Sequence, residues 1–362
     1  MRRVALVAGG TAGHVYPALE VGRAYQQAVP DARVLFIGTT NGFESRLVPA
    51  HGYRLELVPG APLFGVGIAG KALAIARLLT GARRARTILR NERIELAIGF
   101  GGFSSAGTML AARTLGLHTA ILESNASPGL TNRLLGRVVS RTYLGCAMAG
   151  AAFEPTKTLV TGVPVRPEIM RTGTDRRANP DGRFHVLVTG GSHGSDFLNR
   201  HAAELLRFLA ARGVAVDVRH QAGAWDLEAA SRTYARAGIS VSVTSYIEDM
   251  ADAYAWAHFA ISCAGAGTLA ELAASGLPAL LVPLAGASED HQTANARTFT
   301  AVSGGLWVRE NDWHPDVLAT RIADLLTHTD SWGAASQRLR RLANAEAASA
   351  IVADCEAALG AF

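Results

Sequence analysis

The stretch Phe259-Ala-Ile-Ser-Cys263 followed by Ala264-Gly-Ala-Gly-Thr-Leu-Ala-Glu271 decides how this chain folds. Its first part is a short apolar run, the pattern of a parallel strand buried on both faces. Gly265, Ala266 and Gly267 then let the backbone approach another group, and Thr268 is predicted to open a helix carrying Glu271 in its first turn. A strand, a small-residue turn and a helix start together present N–H groups and a positive dipole end, which suits a phosphate. An acid one turn in can bind a ribose diol; equally, it can sit at the dipole of an ordinary strand–turn–helix. The segment runs on through Gly276-Leu-Pro-Ala-Leu-Leu-Val-Pro283 to Glu289-Asp-His-Gln292.

At 362 residues the chain is expected to form two domains. Hydrophobic residues are 49% and charged residues 18%, enough for packed cores and against disorder. The three cysteines, Cys146, Cys263 and Cys355, are far apart, so neither a disulfide framework nor a zinc site is indicated, which fits a reducing cytoplasm. Met1-Arg-Arg-Val-Ala-Leu-Val-Ala leads straight into a glycine turn, as a first strand does, rather than reading as a signal peptide. No window of 18 uninterrupted apolar residues suggests a membrane span. Charge is uneven: residues 1–165 carry 18 Lys/Arg against 8 Asp/Glu, and residues 166–362 carry 17 against 22. The basic first half is therefore expected to face something anionic, such as a membrane surface, a lipid phosphate or nucleic acid.

Working outward, Arg3–Ala8 reads as a first strand, then Gly9-Gly-Thr-Ala-Gly-His-Val-Tyr-Pro17 and a helical run from Ala18 to Gln27. The turn lacks dinucleotide GxGxxG spacing, so no hydride-transfer cofactor is expected. His14 stands at the mouth of the turn, either as base or donor or as a histidine packing the loop. Leu63, Phe64 and Ile68 lie in an apolar segment leading to Lys71–Leu79 and the cluster Arg83, Arg84, Arg86, Arg90 and Arg93. That combination reads as an interfacial membrane patch, with Leu78, Arg83 and Arg84 in it, or as a helix with a solvated basic face. Aromatic residues are not interleaved with the basic ones, so nucleic acid is not favoured. Leu96–Gly99 runs into a glycine-rich turn, and Thr119–Glu123 into Glu123-Ser-Asn-Ala-Ser-Pro-Gly-Leu-Thr-Asn132, both at the ligand edge of an open sheet. Thr161-Gly-Val-Pro-Val-Arg166 reads as a hinge, and Phe184–Thr189 with Gly190-Gly-Ser-His-Gly194 restarts the opening plan. Pro315–Leu326 and Trp332–Ala358 read as helices.

Taken in order, these motifs resemble the MurG family, N-acetylglucosaminyltransferases within the wider two-Rossmann-domain glycosyltransferases. The resemblance rests on Gly9–His14, Gly99–Gly107, Asn125 with Gly129-Leu-Thr-Asn132, Thr161–Arg166, Gly190–Gly194, His220-Gln-Ala-Gly223, Tyr246-Ile-Glu-Asp-Met250, Gly265–Glu271 and Asp290-His-Gln292. It implies an α/β fold of two doubly wound Rossmann-like domains facing across a cleft (GT-B type). Residues 1–163 would form an acceptor- and membrane-facing domain, 164–340 a UDP-sugar domain, and 341–362 a helix packing back toward the first.

The implied activity is inverting transfer of N-acetylglucosamine from UDP-GlcNAc to a polyprenyl-diphosphate acceptor, lipid I to lipid II, at the cytoplasmic membrane face. By resemblance Glu271 binds ribose, the Ile247 backbone meets uracil, and Ser192 with Gly267, Thr268 and Leu269 contacts phosphate. Arg166 closes on the donor, His291 and Gln292 meet sugar hydroxyls, and Thr11 and Gly13 join the donor contacts. His14 and Asn125 are the implied catalytic pair, with Gly102, Phe103, Ser104 and Glu123 on the acceptor side. No cofactor or metal is expected, the helix start and Arg166 stabilising the leaving group. The chain departs from the family at Ala12, at Leu122-Glu-Ser-Asn125, at His193 and at Cys263, where the family has an arginine. Those departures leave open a relative with another glycolipid or natural-product acceptor, a UDP-sugar 2-epimerase, and a nucleotide-sugar sensor.

Overall fold

The computed structural model describes residues 2–40, 42–60, 68–172, 182–286 and 290–360. The chain forms two compact units, Met1–Arg166 with Asn344–Phe362, and Pro167–Ala343.

In the first unit seven strands, β1 (Arg3–Val7), β2 (Arg33–Gly38), β3 (Arg54–Leu57), β4 (Leu96–Gly99), β5 (His118–Glu123), β6 (Arg141–Leu144) and β7 (Thr158–Val160), form one sheet. Their order is β3-β2-β1-β4-β5-β6-β7 and every pairing is parallel. Val4 pairs with Val34 on one side and Leu96 on the other, so the central strand is covered on both edges. Helices cover both faces, which is why Val4–Val7 of β1 and all of β4 are apolar rather than alternating. One face buries Val4, Leu6, Phe36, Leu96 and Ile98, the other Ala5, Val7, Ile37, Ala97 and Ile121.

The second unit repeats the plan with β8 (Phe184–Thr189), β9 (Val216–Gln221), β10 (Ser240–Thr244), β11 (Phe259–Ser262), β12 (Ala279–Leu281) and β13 (Leu306–Trp307). The order is β10-β9-β8-β11-β12-β13, again all parallel. In each sheet the chain winds out from its first strand, returns, and continues on the other side. The carboxyl ends of β1 and β4, and of β8 and β11, therefore flank a topological switch point, where loops diverge and leave a crevice.

The alanine-rich tail, read as one helix over 332–358, is two: Thr329–Arg340 and Ala347–Gly360. Asn344 breaks it. Its Oδ1 accepts the N–H of Glu346 at 3.0 Å, a local alternative to helical pairing, and its Nδ2 donates to the Thr161 carbonyl at 2.7 Å. The final helix belongs to the first unit, where Ile351, Val352 and Cys355 join the core with the Ala12–Ala28 helix.

A polar latch fastens this helix. Arg141 donates to both Asp354 oxygens, 2.8 Å from Nε and 2.5 Å from Nη2, and the Tyr143 hydroxyl donates to Asp354 at 2.8 Å. At the same edge Arg2 pairs with Glu356 and Glu95. Burial pushes the Asp354 carboxyl up, but the Arg141 and Tyr143 hydrogen bonds outweigh it and hold it below the usual carboxylate range. A depressed folded value adds stability above the unfolded value of about 3.9, and that stability is lost as pH falls through the folded value. Asp354→Asn is therefore expected to lower the urea midpoint clearly at pH 7, with the gap to the natural protein closing on acidification. A gap independent of pH contradicts this account.

Candidate functional site

At the first switch point the helix start decides where the imidazole goes. Thr11 is extended (φ −108°, ψ 154°), and its carbonyl accepts from the N–H groups of His14 at 3.1 Å and Val15 at 3.3 Å. The helix therefore begins at Ala12, six residues before the expected start, and takes Pro17 inside it. His14 is its third residue, with Nδ1 3.2 Å from the Gly9 carbonyl and 3.3 Å from Thr11 Oγ1. The turn after β4 closes over this ring. A Cβ on Gly102, at φ +85°, would lie 2.6 Å from the Gly9 carbonyl oxygen, and one on Gly101 would lie 3.0 Å from His14 Nε2. The two turns meet at His14 because neither residue has a side chain. Gly13 is exposed on the same first helical turn.

Arg166, expected in the second domain, belongs to the first unit, nearly buried, with its guanidinium carbon 4.2 Å from the Tyr16 ring centroid. Glu123, expected to face the acceptor, is instead a brace. It is 2% exposed, and its oxygens accept from Asn125 N at 2.8 Å, Asn125 Nδ2 at 3.0 Å, Gly129 N at 3.2 Å and Asn132 Nδ2 at 2.9 Å. Burial pushes its carboxyl above the usual range although these donors pull it down. Glu123 thus shapes the loop that presents Asn125.

In the second unit the loops after β8 and β10 are tied to each other by the end of β9. Buried Gln221 donates from Nε2 to the Gly191 carbonyl at 2.7 Å and accepts the Ile247 N–H on Oε1 at 2.8 Å. The Ile247 N–H is thus already paired, which leaves its carbonyl as the backbone group that can meet a base. Ser192 sits beside His193, its Oγ 3.3 Å from His193 Nδ1. His220 of the same motif is buried against the Tyr234 hydroxyl at 2.9 Å, and burial pushes it down to about 4, so it is a neutral core residue.

The helix after β11 spans Ala266–Ser275, not Thr268 onward, and Glu271 falls in its second turn, where the dipole no longer favours it much. Glu271 Oε2 instead accepts from the Tyr254 hydroxyl at 3.0 Å. Gly265 is the N-cap with no side-chain cap bond, and no acid stands in the first turn. The helix after β8 differs: Ser195 caps it, accepting from Leu198 N at 3.2 Å, and Asp196 stands in its first turn. Of the two helix starts flanking the switch point, the Ala266 one has no side-chain cap among the described residues, whereas Ser195 caps the other. Gly267 and Thr268 lie on that turn. Leu269 does not belong with them, since its side chain is buried and its N–H donates to the Gly265 carbonyl at 3.0 Å.

Gln292 and Asn295 anchor this turn from the helix His291–Ser303. Gln292 Oε1 accepts from Ala264 N at 3.1 Å and Leu284 N at 3.0 Å, and Asn295 Nδ2 donates to the Ala264 carbonyl at 3.0 Å. Only the Nε2 end of Gln292 can then donate to a sugar hydroxyl; His291 is its half-buried neighbour. Gln221, Asn295 and Tyr254 had no assigned role in the sequence, since their partners lie on other elements.

Leu63 and Phe64 lie outside the described residues, as do the side chains of Ile68, Phe103 and Ser104. In the helix Ile68–Asn91, Arg83 and Arg84 are exposed. Leu78 is half-buried and packs in part on the next helix, where a Cβ on Gly107 would be 3.2 Å from its Cδ1, while its neighbour Leu79 is exposed. Leu110 and Leu134, on the two helices that follow in packing order, are exposed too. Among the described residues no helix is long and apolar enough to cross a membrane, and no group of three or more His, Cys, Asp or Glu is placed to hold a metal.

Residues 4–144 match the glycosyltransferase family 28 N-terminal domain and residues 185–351 its C-terminal domain. The chain is 39% identical over 354 residues to a protein of Methylococcus capsulatus, covering 98% of each, and 36% identical over 352 residues to one of Geobacter sulfurreducens, covering 97% of each. Both relatives are named UDP-N-acetylglucosamine--N-acetylmuramyl-(pentapeptide) pyrophosphoryl-undecaprenol N-acetylglucosamine transferase. The crystal structure of Acinetobacter baumannii MurG superposes with a TM-score of 0.76 at 29% identity, over 97% of this chain and 98% of that one.

Cys263, standing where an arginine was expected, is a core residue that burial pushes up to about 12; burial likewise pushes Cys355 up to about 11. Cys146 is half-buried. At pH 8 iodoacetamide is expected to label Cys146 in the native protein, and Cys263 and Cys355 only after unfolding, as read by peptide mass spectrometry. Native labelling of Cys263 contradicts this assignment.

Proposed function

Because the chain belongs to glycosyltransferase family 28, we propose that it transfers N-acetylglucosamine from UDP-GlcNAc to the lipid-linked acceptor lipid I, with inversion at the sugar. The observation that carries the donor half is the uncapped helix start at Gly265–Thr268, beside a carboxylate oriented by a buried tyrosine. The diphosphate takes the N–H groups of this first turn, which oppose the charge that develops as the sugar departs. Glu271, with Oε2 fixed by Tyr254, accepts from the ribose hydroxyls.

On the acceptor side, a proton on His14 Nδ1 directed at the Gly9 carbonyl makes Nε2 the basic nitrogen. Nε2 takes the acceptor hydroxyl proton as the oxygen attacks the sugar carbon and the C–O bond to UDP breaks. Asn125, held by Glu123, orients the acceptor. The occupied oxygens of Glu123 also leave it poorly suited to the proton chemistry of a 2-epimerase.

The test is UDP release from UDP-GlcNAc with a short-chain lipid I analogue. Glu271→Ala is expected to raise the KM for UDP-GlcNAc by about 10- to 100-fold. His14→Ala is expected to lower kcat by about 100-fold or more and to remove one limb of the pH profile. Donor binding without transfer by the natural protein would redirect the acceptor assignment, and epimerisation without acceptor would overturn the reaction class.

The same reading places the protein at the inner membrane face, through the exposed Arg83, Arg84, Leu79, Leu110 and Leu134 of the first unit. Serine at Leu79, Arg83 and Arg84 together is expected to weaken cosedimentation with anionic vesicles, by ~1 kcal/mol for each arginine. Unchanged, salt-insensitive partition argues against this face.

A further inference from the structure

We infer that Glu44, which does not approach substrate, is a positioning residue that acts through Gly10 to set the turn presenting His14. The inference rests on the proposed role of His14. Glu44 is fully buried at the start of the helix Glu44–Ala50, and three donors converge on its two oxygens. Oε2 accepts the Gly10 N–H at 2.9 Å, and Oε1 accepts the Thr39 N–H at 2.8 Å and the Thr39 hydroxyl at 2.7 Å. The Phe43 N–H donates to the Gly10 carbonyl at 3.3 Å, so both polar groups of Gly10 are held from this one segment. Gly10 lies at φ +90° next to Gly9, whose carbonyl meets His14 Nδ1. The carboxylate thus fixes a left-handed backbone position one peptide from the atom that sets the imidazole tautomer.

The surrounding glycines show that room is kept for this carboxylate. A Cβ on Gly38 would lie 2.5 Å from Glu44 Cγ, and a Cβ on Gly42 would overlap Glu44 Oε2. Two glycines, on either side of the acid in space, are therefore required by the position of its side chain. Unlike Gly10, neither has a positive φ that would itself demand glycine.

The chemistry needs an acceptor at both oxygens. Each faces a backbone N–H, so an amide of the same shape must turn its NH2 against one of them, whichever way it is flipped. Glu44→Gln and Gly42→Ala consequently dislodge the brace by different routes, one by removing an acceptor and one by steric displacement with the acid intact. Both variants are expected to retain the circular dichroism of the natural protein and an unchanged affinity for UDP, which the second unit binds. In both, kcat with the lipid I analogue is expected to fall by about 100-fold while the KM for UDP-GlcNAc stays constant. The imidazole resonances of selectively labelled His14 are expected to shift in the same direction in both variants. Coincident His14 resonances in variant and natural protein would overturn the inference, as would loss of UDP affinity in step with kcat. A natural protein inactive on the analogue counts against the transferase reading alone, and the His14 resonances then decide this one.

Discussion

Among the described residues, the turns that follow β1, β5, β8 and β11 leave backbone N–H and C=O groups that neither a sheet nor a helix pairs, and a polar side chain from another part of the fold pairs them. An unpaired buried N–H costs roughly 1–3 kcal/mol, so a turn without its brace would rearrange rather than persist. Glu44 does this for Gly10, Glu123 for Asn125 and Gly129, Gln221 for Gly191 and Ile247, and Gln292 with Asn295 for Ala264 and Leu284. Each brace comes from a regular element, either the end of a strand or the first turns of a helix, so a rigid scaffold sets an irregular backbone. The switch-point crevices hold their shape by these bonds.

The two units use different chemistry for the same task. The braces of the first unit are carboxylates, and its turns offer them N–H groups from several directions. Those of the second are amides, which accept from one backbone group while donating to another, as Gln221 does between Ile247 and Gly191. A neutral brace places no buried negative charge beside the helix start proposed above to take the diphosphate. The same logic separates the two helices flanking that crevice: Ser195 caps one start and Asp196 stands in its first turn, while the start at Gly265 has neither a side-chain cap nor an acid.

The final helix, last in the chain, completes the first unit. It packs against the helix that carries His14, and Arg141, Tyr143 and Asp354 fasten it at the sheet's opposite edge. Arg166 follows the same economy, stacking on Tyr16 two residues beyond His14 on that helix. The helix that carries His14 is thus held along its side by residues distant in sequence.

Two parallel sheets, their turns at the strands' carboxyl ends and the family were legible in the sequence, because apolar runs and glycine spacing are local signals. The strand Phe259–Ser262, the turn behind it and the repeat of the opening plan at Gly190 all stand where periodicity put them. The helix start at Ala12 and the break at Asn344 were not legible, since Thr11 and Asn344 set them through individual hydrogen bonds. Nor was the division between ligand and brace. Glu123, Gln292, Leu269 and Ile247 carry the right chemistry at the right edge, and only folding shows their oxygens or N–H groups already paired. Gly10 meets Glu44 across 34 residues, Ile247 meets Gln221 across 26, and Ala264 meets Gln292 across 28. Sequence determined which polar groups gather at each crevice; tertiary structure decided which of them the backbone claims first, because that competition is settled by distances that no linear spacing encodes.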